Sequence, residues 1–448
     1  MSFTDSHTLS DLNILGTAYE ENSIFDFLNH TQTHGGKIKL SALLKSPLNE
    51  LSVIRKRQEA ILFLKEADVS FEFNKEEYAF IEHYLNQNSL LLKSNIIDST
   101  WNWLRSKYKP SNDYYVISRG LHYLRRNLSR IIKLSDQLRS SGQPEYYDSL
   151  NTFVNHIRAE QTLSELLSRD HSRIRFWNLG RFDFAIRVKQ KETIKTFLHL
   201  SYELDVFLSV ANTLKKTGMT FPEFKDSPEP YLFVEGLYHP LLYEPVKNDF
   251  QIGTPNICML TGANMTGKST FLKSAGICVY LAHLGFPVPA DKMVLSLFDT
   301  MHSTVNIADN LQKGYSHFFS EVKRVKEILR KLQKDEKVFV IFDELFRSTN
   351  VKDAKDATIL IARGFSKIRN AVFMISTHIN EAAEALKNDE GVDFKCFHYQ
   401  LIKDKPVYDY KLADGITDER LGLTILKNEG ITEIISDILD GRSDHMSK

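Results

Sequence analysis

An α/β domain with a phosphate-binding loop, preceded by an all-α domain, is the fold class that this sequence predicts. Three observations lead there. Residues 262–269 (Gly262, Ala263, Asn264, Met265, Thr266, Gly267, Lys268, Ser269) fit the pattern G-x-x-x-x-G-K-[ST]. Apolar runs at 257–260, 338–342 and 371–376 are short and uncharged and have helical patterns behind them, as buried parallel strands do. Residues from about 70 to 220 read instead as long amphipathic helices, with few breaks at Pro110, Gly120, Gly142, Pro144 and Gly180. Where the two compositions meet, residues 217–230 carry Gly218, Pro222, Pro228 and Pro230 and read as a linker. The expected domains are therefore 1–225, helical, and 226–448, α/β.

In chain order, residues 1–11 are polar and contain no apolar core of a signal peptide. A helix is expected after Ser23, a plausible cap, through Ile24, Phe25, Phe27 and Leu28. Residues 31–37 contain Gly35 and Gly36 and read as a turn. Ile38, Leu40, Leu43 and Leu44 resume an apolar face that Pro47 ends. Residues 51–65 form another amphipathic helix, whose Arg55, Lys56 and Arg57 read as a solvated face. Two basic runs follow. Arg119, Arg125, Arg126 and Arg130 form the first, and Arg173, Arg175, Arg181, Arg187, Lys189 and Lys191 the second. Each is either a wet helix face or a set of phosphate contacts. Interleaved acidic residues favour the wet face.

Bulk properties bound the function. A length of 448 residues suggests about three domains. Lysine plus arginine and aspartate plus glutamate each total 57, so the net charge is +0 and any nucleic-acid surface must be local. Cys258, Cys278 and Cys396 show no metal-ligand spacing and fit a reducing compartment. The uncharged run at 274–290 contains His283, Gly285, Pro287 and Pro289 and reads as core helix and strand rather than a membrane span. There is no internal repeat. A cytoplasmic, soluble protein with no membrane contact is expected.

The chemistry is carried by four segments. In the loop, backbone N–H groups of 262–270 and the N-terminus of the following helix would face phosphates. Lys268 would reach the terminal phosphates and Ser269 would hold Mg²⁺. The run at 338–342 ends in Asp343 and Glu344, which suits a metal-shell carboxylate and a residue that orients or deprotonates the attacking water. The run at 371–376 ends at Thr377 and His378, at the ligand edge of an α/β sheet, where a histidine can sense the terminal phosphate. Ser316 precedes a helical pattern through Phe318, Val322, Val325, Leu329 and Leu332. It is read either as an ordinary cap or as part of an anion-binding helix end.

Taken together, these segments resemble the MutS family of DNA mismatch-repair ATPases, of the ABC-type ATPase superfamily. Residues 261–270 look like the family's loop, Asn264 included. Residues 309–318 resemble its signature loop, residues 343–350 its Walker B and D-loop, and residues 376–378 its switch. Tyr238, His239 and Pro240 match a His-Pro feature just before the ATPase core. Residues 31–48 and the helix with Glu203, Leu204 and Asp205 resemble core and lever helices, and residues 415–439 the closing dimerisation segment. Ala263 and Thr266 stand where the family usually has Pro and Gly, His317 where it has Thr, and Phe346 and Ser348 where it has Gly.

The resemblance implies an α/β ABC-type P-loop ATPase domain preceded by an all-α core and lever domain. It implies a Mg²⁺-dependent ATPase acting as a homodimer. Each site would take Asn264, Lys268, Ser269, Asp343, Glu344 and His378 from one chain, and Ser316 with His317 from the other. Catalysis is assigned to Glu344, His378 and Asn264, nucleotide binding to residues 262–270 through Thr270, and metal binding to Ser269 and Asp343. Partners would be duplex or branched DNA, held by its backbone, and a downstream repair protein. The short start before Ser23 leaves no room for mismatch-reading or connector domains, and no clamp domain is evident. Phe80 and Glu82 form a Phe-x-Glu only incidentally. The alternative is a nucleotide-gated switch that binds a protein partner and hydrolyses ATP slowly.

Overall fold

The computed structural model describes residues 3–16, 22–67, 71–87, 112–168, 178–305, 317–333, 336–346, 349–402, 405–417 and parts of 426–438. The chain forms two compact units, Leu28–Lys45 with Ser52–Thr217, and Met1–Phe27, Ser46–Leu51 with Gly218–Lys448.

Two short helices, α1 (Ser6–Asp11) and α2 (Ile24–Leu28), open the chain. Ser23 caps α2 as expected, its hydroxyl accepting from the Asp26 N–H at 3.1 Å. Helices α3 (His34–Leu44), α4 (Leu51–Glu66), α5 (Lys75–Asn86), α6 (Asn112–Ser140), α7 (Asp148–Ala159), α8 (Gln161–Ser168), α9 (Leu179–Phe184) and α10 (Lys191–Thr217) follow. A π-helical turn, Ala185–Lys189, joins the last two. Among its described residues the first unit contains no strand. Its helices pack as their periodicity demands. On α6, Ile117, Leu121, Leu124, Leu128, Ile131 and Leu134 are buried at three- and four-residue intervals.

Residues 31–37 are not a plain turn. Thr33 caps α3, its hydroxyl accepting from the Gly36 N–H at 2.9 Å, so both glycines lie in the first helical turn. The buried Asp205 carboxylate of α10 receives Gln32 N–H, Thr33 N–H and the Thr33 hydroxyl at 2.9, 2.9 and 2.7 Å. A Cβ on Gly36 would sit 2.2 Å from Asp205 Oδ2, and one on Gly35 would sit 2.3 Å from the Tyr202 ring. The glycines therefore serve close helix packing rather than chain reversal.

The second unit is α/β. Its strands are β1 (Glu223–Phe224), β2 (Leu232–Leu237), β3 (Asn248–Ile252) and β4 (Ile257–Thr261), then, after α11 (Lys268–His283), β5 (Lys292–Leu295) and β6 (Thr300–Thr304). After α12 (His317–Leu332) come β7 (Val338–Phe342), α13 (Val351–Phe365), β8 (Ala371–Ser376), α14 (Asn380–Leu386), β9 (Val392–Ile402) and β10 (Lys405–Asp414). A small sheet has the order β1-β5-β2-β3, and the main sheet has the order β10-β9-β4-β8-β7-β6. Strands β9, β4, β8, β7 and β6 run parallel, and β10 returns antiparallel. Every residue of β4, β7 and β8 is buried, which is why these strands read as unbroken apolar runs. Leu260 lies opposite Ser376 and Phe342 opposite Ile375, so the three strands end side by side.

The structure draws the domain boundary differently from the expected division at 225. Residues 1–27 belong with the α/β unit, although the sequence assigns them to the helical domain. The cause is a set of polar contacts at the β6 edge. Met301 N–H donates to Phe3 O at 2.8 Å, the Thr4 hydroxyl to Met301 O at 2.9 Å, Ser303 N–H to Thr8 Oγ1 at 3.0 Å and Val305 N–H to Asp11 Oδ2 at 2.9 Å. The Phe3 ring stacks on His283 with centroids 4.3 Å apart. Polar residues of the N-terminus, Thr4, Thr8 and Asp11, are among those that dock it.

Candidate active site

The loop between β4 and α11 is shaped by its glycines. Gly262 has φ +146° and Gly267 has φ +106°, both in the region that favours glycine. A Cβ on Gly262 would meet Thr266 Oγ1 at 3.0 Å and the Phe397 carbonyl at 3.1 Å. The buried Thr266 hydroxyl donates to Ala263 O at 2.8 Å and closes the loop on itself. Lys268, the first residue of α11, is 5% exposed, and its ammonium donates to Gly262 O at 2.7 Å and Ala263 O at 2.9 Å. Burial lowers its pKa, and the charges of Glu344 and Asp343 pull it back up. The acidic pair therefore acts on this ammonium from across the sheet edge.

Asp343 and Glu344 follow β7 directly. The Ser376 hydroxyl at the end of β8 donates to Asp343 Oδ1 and accepts the Glu344 N–H at 2.9 Å. One side chain thus ties the ends of two neighbouring strands. Glu344 has φ +56° and Phe346 φ +62°, an uncommon conformation for such residues. His378 Nδ1 lies 3.8 Å from Glu344 Oε1. Thr377 N–H donates to Leu260 O at 3.0 Å, which fixes the segment leading into His378 against β4.

A cavity of about 620 Å³ opens above the loop. Asn264, Met265, Gly267, Lys268, Ser269, Thr270 and Glu344 are among its lining residues, together with Tyr238, His239, Tyr243, Asn248, Phe397 and Tyr410. Its volume suits a nucleotide-sized ligand. Phosphate-binding loop residues and aromatic side chains in one cavity suit a nucleoside triphosphate. The hard-cation donors fit Mg²⁺ as well, since Ser269 and Asp343 both offer oxygen.

Comparison with known proteins agrees with this geometry. The family profile MutS domain V matches residues 258–442. DNA mismatch repair protein MSH3 of Candida glabrata is 27% identical over 258 residues, covering 54% of this chain and 25% of that protein. DNA mismatch repair protein MutS of Pseudothermotoga lettingae is 28% identical over 234 residues, covering 51% of this chain and 28% of the relative. MutS of Staphylococcus epidermidis is 26% identical over 277 residues, covering 58% and 30%. Residues 258–442 are therefore similar to domain V of the MutS family. The chain spans less than a third of the length of each of these three relatives.

Within the matched region, the structure brings together Gly262 to Thr270, Asp343, Glu344 and His378. Ser316 and most of residues 309–318 lie outside the described residues, and His317 is described only as the first residue of α12. Sequence reasoning gave no role to the aromatic residues of the cavity. Tyr238 and His239 carried a signal through the Tyr-His-Pro match, whereas Tyr410 and Phe397 carried none. Burial and the nearby Lys273 ammonium push His239 down to about 4, so its ring is neutral at physiological pH. Among the described residues, no helix is long and apolar enough to cross a membrane.

Proposed function

We propose that this chain binds Mg²⁺-ATP in the loop cavity and hydrolyses it as a homodimer, using the cycle to move helical levers around duplex or branched DNA. The observation that supports the reading most is the convergence of Lys268, Asp343, Glu344 and the Ser376 bridge at the ends of β4, β7 and β8. Lys268 and the loop N–H groups hold the phosphates, with the ammonium exchanging its loop carbonyls for phosphate oxygens. Ser269 and Asp343 would hold the metal ion, which would supply positive charge toward the phosphoryl oxygens. Glu344 positions the attacking water and takes its proton at a carboxylate oxygen. His378, beside Glu344, senses the terminal phosphate, and Asn264 lines the same cavity. Aromatic residues of the cavity lining, such as Tyr238 and Tyr243, hold the base.

Size determination with and without ATP, together with steady-state turnover, tests the enzyme half of the reading. Turnover that rises with dimer formation supports shared sites, and a verified monomer as fast as the dimer overturns them. Labelled duplexes with and without a mismatch, titrated across salt concentrations, test the DNA half. The expected result is salt-sensitive binding with little mismatch preference. Turnover without any DNA binding would replace this half with the protein-partner switch.

A further inference from the structure

We propose that the exposed face of α6 is a docking strip for the phosphate backbone of duplex DNA. This inference rests on the DNA half of the proposed function and gives it a location. A second cavity, of about 330 Å³, is lined by His122, Arg125, Arg126, Ser129, Arg130 and Lys133. No carboxylate is among these lining residues. Arg119 continues the line one turn earlier, its guanidinium 5.9 Å from the ring centres of both Tyr115 and Tyr123. Positions 119, 122, 126, 130 and 133 repeat at three and four residues and so share one face. At 1.5 Å per residue, Arg119 to Lys133 spans about 21 Å, the rise of roughly six base pairs.

The burial pattern separates this strip from the core. Ile117, Leu121, Leu124, Leu128 and Ile131 turn inward, and Arg119, Arg126 and Lys133 turn out. Burial first, then Arg125, Arg119 and Arg126, depress the pKa of His122, which reports a positive local field. Arg126 donates one N–H to Glu77 Oε1 at 2.8 Å; that carboxylate, 5% exposed, is also held by Asn127 at 2.7 Å. Arg126 is thereby aimed rather than lost to the strip.

In the second basic run, Arg173 and Arg175 lie outside the described residues, and Arg181, Arg187 and Lys189 are engaged within the helical unit. Arg181 is paired with Glu165 at 2.6 Å and Arg187 with the fully buried Asp183 at 2.6 Å. Lys189 lies over the Phe184 ring. Those charges serve the fold of the helical unit. A row of cations along one helix face, with aromatic rings beside Arg119, suits a repeating phosphate chain, in which each contact releases a counterion.

The test uses the full chain and a labelled homoduplex, followed by anisotropy from low to moderate salt. The variant combines Arg119→Ala, Arg130→Ala and Lys133→Ala. Each lost contact removes about 0.9 from the slope of log affinity against log salt, so the slope should fall by about 2–3 and low-salt affinity more than tenfold. Arg181→Ala is the comparison and should change neither quantity. ATP binding, which uses the other unit, should be unchanged in all variants. Should the triple variant fold poorly, Lys133→Glu alone must still weaken binding and lower the slope. Unchanged affinity and slope in these variants overturn the strip while the DNA reading survives. A parent chain that binds no duplex at any salt overturns both, and leaves the ATPase reading standing. Polyglutamate competing as well as unlabelled duplex would overturn the commitment to nucleic acid.

Discussion

Replacing Asp5 by alanine should release the N-terminal segment from the α/β unit, and the contacts allow the size of the effect to be worked out. The Asp5 carboxylate accepts Arg324 Nη1 at 2.6 Å, pairs with His302 Nδ1 at 3.2 Å, and accepts both the N–H and the hydroxyl of Thr8 at 2.9 Å. The Thr8 N–H bond is an N-cap on α1, worth about 1 kcal/mol. The Arg324 bond is charge-assisted, worth about 1.5–3 kcal/mol, and partial solvent access places it toward the lower end. The expected loss is roughly 2–4 kcal/mol. With a urea slope of about 3 kcal/mol/M, the midpoint of the α/β unit should fall by about 1 M. Asp5→Asn keeps the cap and should lie between the two.

The pH dependence of the Asp5 effect has a definite sign. Burial tends to raise the Asp5 pKa, but the bonds from His302 and Arg324 outweigh it and hold the carboxyl well below its usual range. A depressed native pKa means the stabilisation is present above the unfolded value, about 3.9, and is lost as pH falls below it. The gap between parent and Asp5→Ala should therefore be constant at neutral pH and shrink below about pH 4. A variant midpoint indistinguishable from that of the parent at pH 7 would refute the argument. A gap that widened on acidification would refute its electrostatic part.

Four further outcomes are expected. Lys268→Ala should weaken ATP binding by roughly ten- to a hundredfold in calorimetry, the equivalent of one lost charge-assisted contact. Glu344→Gln should keep nucleotide binding and lower turnover by about 10²–10⁴-fold; unchanged turnover would remove Glu344 from the mechanism. Asn256→Ala should cost about 1–3 kcal/mol in urea unfolding, because Asn256 Nδ2 donates to the carbonyls of Phe365, Ile368 and Ala371. The Asp11 carboxylate, 3.2 Å from His7 Nδ1, raises the His7 pKa, so His7 should titrate above its ordinary value of about 6.5 by NMR. Its stabilising effect should be full below that value and fade as pH rises through the native pKa.

The parts of the fold that were legible are those governed by local rules. The strands at 257–260, 338–342 and 371–376 were visible because burial on both faces leaves no room for polar alternation. The loop was visible because its glycines are demanded by backbone geometry at fixed spacing. Contacts between distant segments were hidden. Nothing around Asp5 announces Arg324, more than 300 positions away. Gly35 and Gly36 mimicked a turn because their real partners, Tyr202 and Asp205, lie on another helix. The aromatic lining of the cavity is assembled from residues near 240, 397 and 410, whose meeting is fixed by the β9–β10 hairpin and by Asn248 donating to Tyr410 O at 3.0 Å. The two basic runs look alike in sequence, although Arg181 and Arg187 are ion-paired with Glu165 and Asp183.

The docked N-terminal segment also bears on how the α/β unit can be produced. A fragment cut at the linker near residue 218 would discard Phe3, Thr4, Thr8 and Asp11, and with them the caps on the outermost strand of the main sheet. The amide of Met301 and its carbonyl would face solvent beside apolar side chains, a template on which another copy can add a strand. Such a fragment should precipitate or form filaments unless residues 3–14 are supplied, either as a separate peptide or spliced ahead of residue 218 through a flexible tether.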